Sequence, residues 1–394
     1  MASKIKNALG LAWRWSLLLT VPIASVFLVW AYRTGAKYVD LGVKFETFNN
    51  HMSLHRIGTF EAEAVMRDLR LAVRPREFDS GTALRTMELF VPEASENRLN
   101  GELPHSGREY VPASLQYPNG EIGEVKLRYR GDHFWHWGAR KKSLRVKTKK
   151  KALFERIRAI NFSAPKTKDQ IVEQLSNELA LRFDLIGPRS ELVDLRVNGR
   201  NRGIHLLVEQ LEEMVIRTNG KMPGDLYAAD IVKRSAYAGL GMMVFRNPAL
   251  WEKSAINNHF DEGEDGNLRR LIEVLQREPS AERTRALRKL VDIESFGRFG
   301  AFRAVCQTFH FDDTHNQRLY YDPWRNCFLP VVWDSVGWHP GALPRNGQLA
   351  RPDVVTSDLD LALFQDPLYL AARQRAFEDW FQSGKHESFL ERVD

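Results

Sequence analysis

Apolar residues along this chain change their spacing several times, and each change marks an element. Over residues 85–130 they alternate with polar ones: RTMELFVP, then YVPASLQY, a PNG turn, and EVKLRYRG with Val125, Leu127 and Tyr129 on one face. A period of two predicts strands, and SLRVK at 143–147 continues the sheet into a basic KTKKK stretch. From 169 to 184 the spacing lengthens. Leu175, Leu179 and Phe183 recur every four residues, Asp169 stands where a cap belongs, and Gly187-Pro188 closes the segment, so a helix is expected. ELVDLRV, Asn198-Gly199 and GIHLLVEQ then read as a hairpin. Residues 208–217 read as helix and 219–264 as polar loop. A helix-rich block at 265–310 ends in VDIESFGRFGAFRAVCQTFH, apolar nearly all round and therefore buried. Strands RLYYD and FLPVVWD follow, joined by a turn at Pro323 to Asn326. Residues 357–393 are helical again and stop in mid-pattern at FLERVD, as an untidy end or a truncated product would.

The amino terminus has a different pattern. SLLLTVPIASVFLVWAY at 16–32 carries no charge, and Leu11 to Trp15 extends it with Arg14 as the only interruption. Such a run is long enough to cross a hydrocarbon core of ~30 Å, with Trp13, Trp15, Trp30 and Tyr32 as interface anchors. No small-x-small cleavage site follows it. The expectation is an uncleaved single-pass anchor in membrane lipid at 11–32, behind a basic tail at 1–10. Lys4, Lys6 and Arg14 nearly balance Arg33, Lys37 and Lys44, and the α-amino group tips the amino terminus inward. That places the globular part outside the cytoplasm, in the cell membrane. A stalk at 38–84, helical up to Pro75, leads to one domain at 85–394, divided near residues 218 and 219.

Composition narrows the partners. Of 394 residues, 43% are hydrophobic and 11% aromatic, which suits a packed globule. The net charge of +7 fits nucleotide phosphates or a lipid surface, and without a basic block it gives no sign of nucleic-acid binding. Cys306 and Cys327 make neither a disulfide framework nor a metal cluster and read as small packed hydrophobes. G-x-S-x-G, Walker A, HExxH and CxxC are absent.

Chemistry concentrates at 310–340, HFDDTHNQRLYYDPWRNCFLPVVWDSVGWHP. Asp312, Asn316 and Asp334 fall on a loop and on the end of the following strand. Phosphoryl transfer to a hydroxyl needs such a set: one group to accept or orient the proton, an amide and a carboxylate to hold Mg²⁺ against phosphates. Asp313 is the alternative to Asp312. Paired carboxylates Asp312 and Asp334 also suit a carbohydrate-active enzyme. His310, His315 and His339 lie nearby, but the spacing of His310, Asp312 and His315 matches no standard zinc pattern.

RYRGDHFWHWGARKKSLRVK resembles the RGNSSW…KKSYRLK signature of the CotH-type atypical kinases, the spore-coat protein kinase group. The likeness continues in order through the 170–184 helix, GPRSELVDLRVNGRNRGIHLLVEQ, and the LYYDP…VVWD block, over roughly residues 110–340. The resemblance implies an α+β, strongly diverged protein-kinase-like fold, here behind the single N-terminal transmembrane helix. It implies ATP and Mg²⁺ as cofactors and a protein or envelope hydroxyl as acceptor. Asp312 would be the catalytic aspartate, and Asn316 and Asp334 the metal ligands. Arg130 and Gly131 would lead into a phosphate-covering loop at 131–138, Lys142 would contact phosphate, and Glu209 would pair with Lys142. Two departures stand out: GDHFWHWG is bulkier and longer than the family's loop, and Ser335-Val336-Gly337 replaces a second acidic position. They keep open a non-catalytic structural or assembly protein of the cell envelope.

Overall fold

The strands of period two close on themselves. A computed structural model describes residues 20–33, 35–36, 62, 65–66, 69, 73, 84–101, 109–131, 136, 141–165, 171–229, 243–255, 263–314, 316–335, 337–338 and 353–393. Seven strands, β1 (Arg85–Phe90), β2 (Val111–Gln116), β3 (Ile122–Tyr129), β4 (Leu144–Lys147), β5 (Ala159–Ser163), β6 (Ser190–Val197) and β7 (Arg200–Glu209), form a closed barrel. The order around it is β1-β2-β3-β4-β5-β7-β6. β1 closes the ring by running parallel to β6, Arg85 opposite Val193 through Leu89 opposite Val197. Alternate residues point inward because the pleat has a period of two. Met87, Leu89, Leu115, Val125, Leu127, Val146, Phe162, Val193 and Leu195 fill the interior.

This closure corrects the expected kinase-like fold behind a transmembrane helix. β1 carries apolar residues at the same alternation as β6, pairs with its edge, and leaves the sheet without one. The membrane expectation is corrected too. Within the apolar amino-terminal run the described helix covers residues 20–33, ~21 Å at 1.5 Å per residue. No helix among the described residues is long and apolar enough to cross a membrane, so the single-pass anchor and the cell-membrane location do not stand. The start of the proposed span at 11–19 lies outside the described residues, as does most of the stalk.

α1 (Glu93–Gly101) follows β1, and α2 (Val172–Arg182) links β5 to β6. The 169–184 helix is thus found, although Asp169 lies outside the described residues and Ile171 takes the cap position without a side-chain bond. The hairpin β6–β7 turns at Asn198 and Gly199, with φ of +54° and +71°, the geometry that an Asn-Gly pair supplies. β7 runs through Glu209, so the helix expected from 208 is only α3 (Glu213–Thr218).

A second sheet follows, of β8 (Asp225–Ala229), β9 (Trp251–Ala255), β10 (Gln317–Asp322) and β11 (Cys327–Pro330), in the order β11-β10-β8-β9. Two of these strands arise in the stretch read as polar loop. DLYAA is five buried residues in a row, a run without alternation. Around the sheet lie α4 (Gly266–Leu275), α5 (Ala281–Arg288), α6 (Ile293–Cys306), α7 (Asp358–Phe364), α8 (Pro367–Gln382) and α9 (Lys385–Val393). α6 is buried along most of its length, as its all-round apolarity predicts. Gly297 and Gly300 let α8 approach it closely: a Cβ on Gly297 would fall 2.6 Å from Ala372 Cβ. Cys306 and Cys327 are buried free thiols.

The two bodies meet through the outer face of β7. Leu206 and Val208 pack with Leu211, Val215 and Ile216 against Leu226, Tyr320, Leu329, Val331 and Trp333. Val332 N–H donates to Ile186 O at 2.8 Å, stitching the chain after β11 to the segment before β6. That seam carries Asp334.

Candidate functional site

The polar loop between α6 and β10 begins at Gln307, whose φ of +50° ends the helix. It then presents His310, Asp312 and Asn316 before β10 starts. Asp334 follows the second strand of that hairpin, so β10 and β11 bring the two polar segments side by side. Asn316 and Asp334 both take left-handed backbone, φ +54° and +52°. Non-glycine residues hold that conformation where their surroundings fix it.

His310 is the fixing group. Its Nδ1 lies 2.7 Å from Asp334 O and 3.8 Å from Asp334 Oδ2. The Asn316 amide nitrogen lies 3.0 Å from the same Nδ1 and 3.5 Å from Nε2, so the amide packs against the imidazole. Only an Nδ1–H can bond a carbonyl, which sets the tautomer of a neutral His310 with Nε2 unprotonated. The two expected metal ligands therefore meet on one histidine. In the sequence His310 stands out only as a flank of the loop and as a member of a His310, Asp312 and His315 trio whose spacing matches no standard zinc pattern. The signal was present: His310-x-Asp312 with Asn316 after it is one residue shorter than the H-R-D-x-x-x-x-N loop of protein kinases.

The structure also separates the two adjacent aspartates. Asp312 Oδ1 accepts from Thr314 N at 2.7 Å and Thr314 Oγ1 at 2.8 Å, an Asx turn within the loop. Asp313 turns toward α7 instead, its Oδ1 accepting from Asp358 N at 3.2 Å and its N–H donating to Thr356 O at 3.1 Å. Burial, with Asp358 and Asp360 near, pushes the Asp313 carboxyl up to about 6. Asp313 is a packing residue, and Asp312 stays with Asn316.

On the barrel side the expected cofactor residues divide. Arg130 follows β3 directly and is buried; its Nη1 donates to Ser163 Oγ at 2.6 Å and its guanidinium lies 5.6 Å from the Trp333 ring. It thus touches the residue next to Asp334. Gly131 has φ +91°, and a Cβ there would fall 2.2 Å from His136 Cδ2, so only glycine fits. His136 folds back to accept from Ser143 N at 2.5 Å through its carbonyl. The rest of the 132–140 loop lies outside the described residues.

Lys142 and Glu209 are not partners. The ladder sets Leu144 opposite Phe162 and Phe162 opposite Leu207, while Val146 shares its rung with Ile160 and Glu209. Lys142 precedes Val146 by four residues, about 13 Å along the strand. Its ammonium lies 5.6 Å from the Tyr129 ring, while Glu209 Oε2 accepts from Arg189 Nε at 3.1 Å. Both face the barrel interior, at opposite ends. His205, beside Lys142, is pushed down to about 3 by burial and by Lys141.

Asn316 and Asp334 are of the residue types that could hold Mg²⁺. That ion keeps several waters and uses one or two carboxylates together with phosphates, rather than a closed protein cage. Asn316 and Asp334 supply an amide and a carboxylate of that kind. Among the described residues no group of three or more His, Cys, Asp or Glu could hold a metal ion; His315 of the His310, Asp312 and His315 trio lies outside the described residues.

The sequence matches the CotH kinase protein family over residues 127–366, more than half of the chain and the whole of this site. The chain belongs to the CotH kinase family. One similar CotH-family relative is inner spore coat protein H of Bacillus subtilis (strain 168), 22% identical over 226 residues, 57% of this chain and 61% of that protein. The chain thus spans about three-fifths of that relative's length. The CotH match begins at Leu127 inside β3 and takes in Arg130, Lys142, Glu209, Asp312, Asn316 and Asp334.

Proposed function

We propose that this chain is a CotH-type phosphotransferase, moving the γ-phosphate of ATP to a protein hydroxyl with Mg²⁺. The observation that supports it most is the meeting of Asn316 and Asp334 on His310, beside Asp312. In this reading Asn316 and Asp334 hold Mg²⁺, which when bound neutralises charge on the phosphates. Asp312, with Oδ1 fixed by Thr314, accepts or orients the proton of the attacking hydroxyl. His310 positions Asp334 through its main-chain oxygen and does not touch substrate. Arg130 closes the site from the barrel, its cation held over Trp333.

The full-length chain tests this. Calorimetry is expected to show Mg²⁺-dependent ATP binding that disappears in Asp334→Ala, and labelled ATP should show transfer to a protein acceptor that disappears in Asp312→Ala. Both variants should melt like wild type. If wild type and Asp334→Ala bind ATP equally poorly, the non-catalytic structural reading replaces this one.

A further inference from the structure

The end of the second sheet away from Asp334 holds a cavity that the proposed reaction does not use. β10 starts beside Asn316 and runs to Asp322, with Tyr321 opposite Asp225 on β8 and opposite Phe328 on β11. The strand between Asn316 and Tyr321 spans about 17 Å. Between this end of the sheet and the first turn of α4 lies a cavity of about 280 Å³, lined by Asp225, Glu264, Asn267, Arg270, Tyr321 and Asn326. Leu290 and Phe328 supply its apolar part. Small-molecule sites run from roughly 300 to 1,000 Å³, so this one suits a single ring.

The charges of the lining cancel. The Lys253 ammonium lies 3.0 Å from Asp225 Oδ2, with both side chains buried. Glu264 and Arg270 are exposed, and neither has an ion-pair partner among the described residues. An anion entering the cavity is opposed by Glu264 and a cation by Arg270, which favours a neutral ligand. The hydrogen-bonding groups are mixed. Asn267 Oδ1 accepts from Tyr227 Oη at 2.6 Å and from Leu268 N at 2.7 Å, which fills the oxygen and leaves the amide to donate. The Tyr321 hydroxyl donates to Asn326 Oδ1, which leaves its own oxygen as an acceptor. With Arg270 donating and Glu264 accepting, the wall suits hydroxyl groups, which give and take at once. Trp324, in the turn between Tyr321 and Asn326, is 86% exposed, where tryptophan is on average highly buried. The face of such a ring is negative and attracts the C–H face of a sugar.

We infer that this end of the second sheet is a carbohydrate subsite, holding one neutral sugar ring of a glycan in the cavity and stacking the next on Trp324. Glu264, Arg270 and the Asn267 amide bond the sugar hydroxyls, and Phe328 meets the apolar face of the ring. The site stands apart from the loop of Asp312 and Asn316 and does not rest on the phosphotransferase reading. It binds a glycan without cleaving it, since glycoside hydrolysis needs two available carboxylates and Asp225 is committed to Lys253.

Four neutral trisaccharides, cellotriose, chitotriose, maltotriose and mannotriose, are the probes, titrated into the full-length chain by calorimetry and saturation-transfer NMR. At least one is expected to bind. Its affinity should fall about tenfold or more in Glu264→Gln and in Arg270→Gln, and about threefold or more in Trp324→Ala. All three side chains are exposed, so these variants should melt like wild type. Asp334→Ala should bind the trisaccharide like wild type, which separates this site from the one at Asp334. Failure of all four trisaccharides to bind overturns the subsite, as does affinity unchanged in the three variants or lost in Asp334→Ala. Tighter binding of spermidine, inorganic phosphate or the zwitterion glycylglycine, lost in the same variants, makes the cavity an ion site and overturns the carbohydrate assignment.

Discussion

The Nδ1–H of His310 bonds the main-chain oxygen of Asp334 at 2.7 Å, across 24 residues of sequence. That bond acts on a residue at φ +52°, a conformation an aspartate leaves readily when nothing holds it. His310→Ala is therefore expected to weaken Mg²⁺-dependent ATP binding by about 10–100-fold, the range for losing a group that orients a metal ligand. Calorimetry checks this, with circular dichroism to show that the barrel is intact. Wild-type affinity in His310→Ala would show that Asp334 is held by something else.

Asp313 gives the stability a pH dependence of known sign. Its carboxyl titrates near 6 in the folded chain against an ordinary 3.8, because burial and two neighbouring aspartates oppose its charge. Between those values the folded state holds a proton that the unfolded state has lost, so stability falls as pH rises, and the penalty is complete above about 6. Asp313→Asn should be more stable than wild type by about 1 kcal/mol at pH 7.5, discounted for the group's half exposure, and equal to it near pH 4. His205 acts the other way: neutral when folded down to about 3 and ordinarily titrating at 6.5, it makes stability rise with pH in between. Urea unfolding of Asp313→Asn from pH 4 to 7.5 should thus show an upward slope. A slope unchanged from wild type would mean that Asp313 does not titrate as its surroundings demand.

Glu209 separates the barrel geometry from the family resemblance. A partner of Lys142 at a phosphate would cost nucleotide binding when neutralised. Glu209 instead sits at the far end of the interior with Arg189, and its Oε1 has no hydrogen-bond partner. Glu209→Gln is expected to bind Mg²⁺ and ATP within about twofold of wild type and to melt within a few degrees of it. A loss of ATP binding beyond tenfold at unchanged melting temperature would restore the Lys142 pair.

What could be read beforehand follows from the range of the interactions involved. Strands β3, β4, β6 and β7, the Asn198-Gly199 turn and α2 depend on neighbours within a few residues, and their patterns showed them. Closure of β1 on β6 joins Arg85 to Val193, and no local pattern distinguishes a strand that closes a ring from one that ends a sheet. β8 was missed because DLYAA is buried on both faces and has no alternation to detect. At the site, residue types were legible for Asp312, Asn316 and Asp334, whereas the choice of Asp312 over Asp313 needed the contact with Asp358 on α7. The inward direction of Lys142 was legible from alternation; that inward meant away from the second sheet was not, since it takes the closed ring to give the wall an inside and an outside.

The parallel pairing of β1 with β6 also sets an order of assembly. A chain emerging from synthesis has no finished barrel until Glu209, the last residue of β7, has appeared. Until then β5 and β6 each keep an open edge, so the early half is the span that needs protection from wrong pairing. The loop of His310 and Asp312 arrives about a hundred residues later. By then every strand of the wall it packs beside has been made, so an error in the wall's pairing would displace Asp312, Asn316 and Asp334 with it.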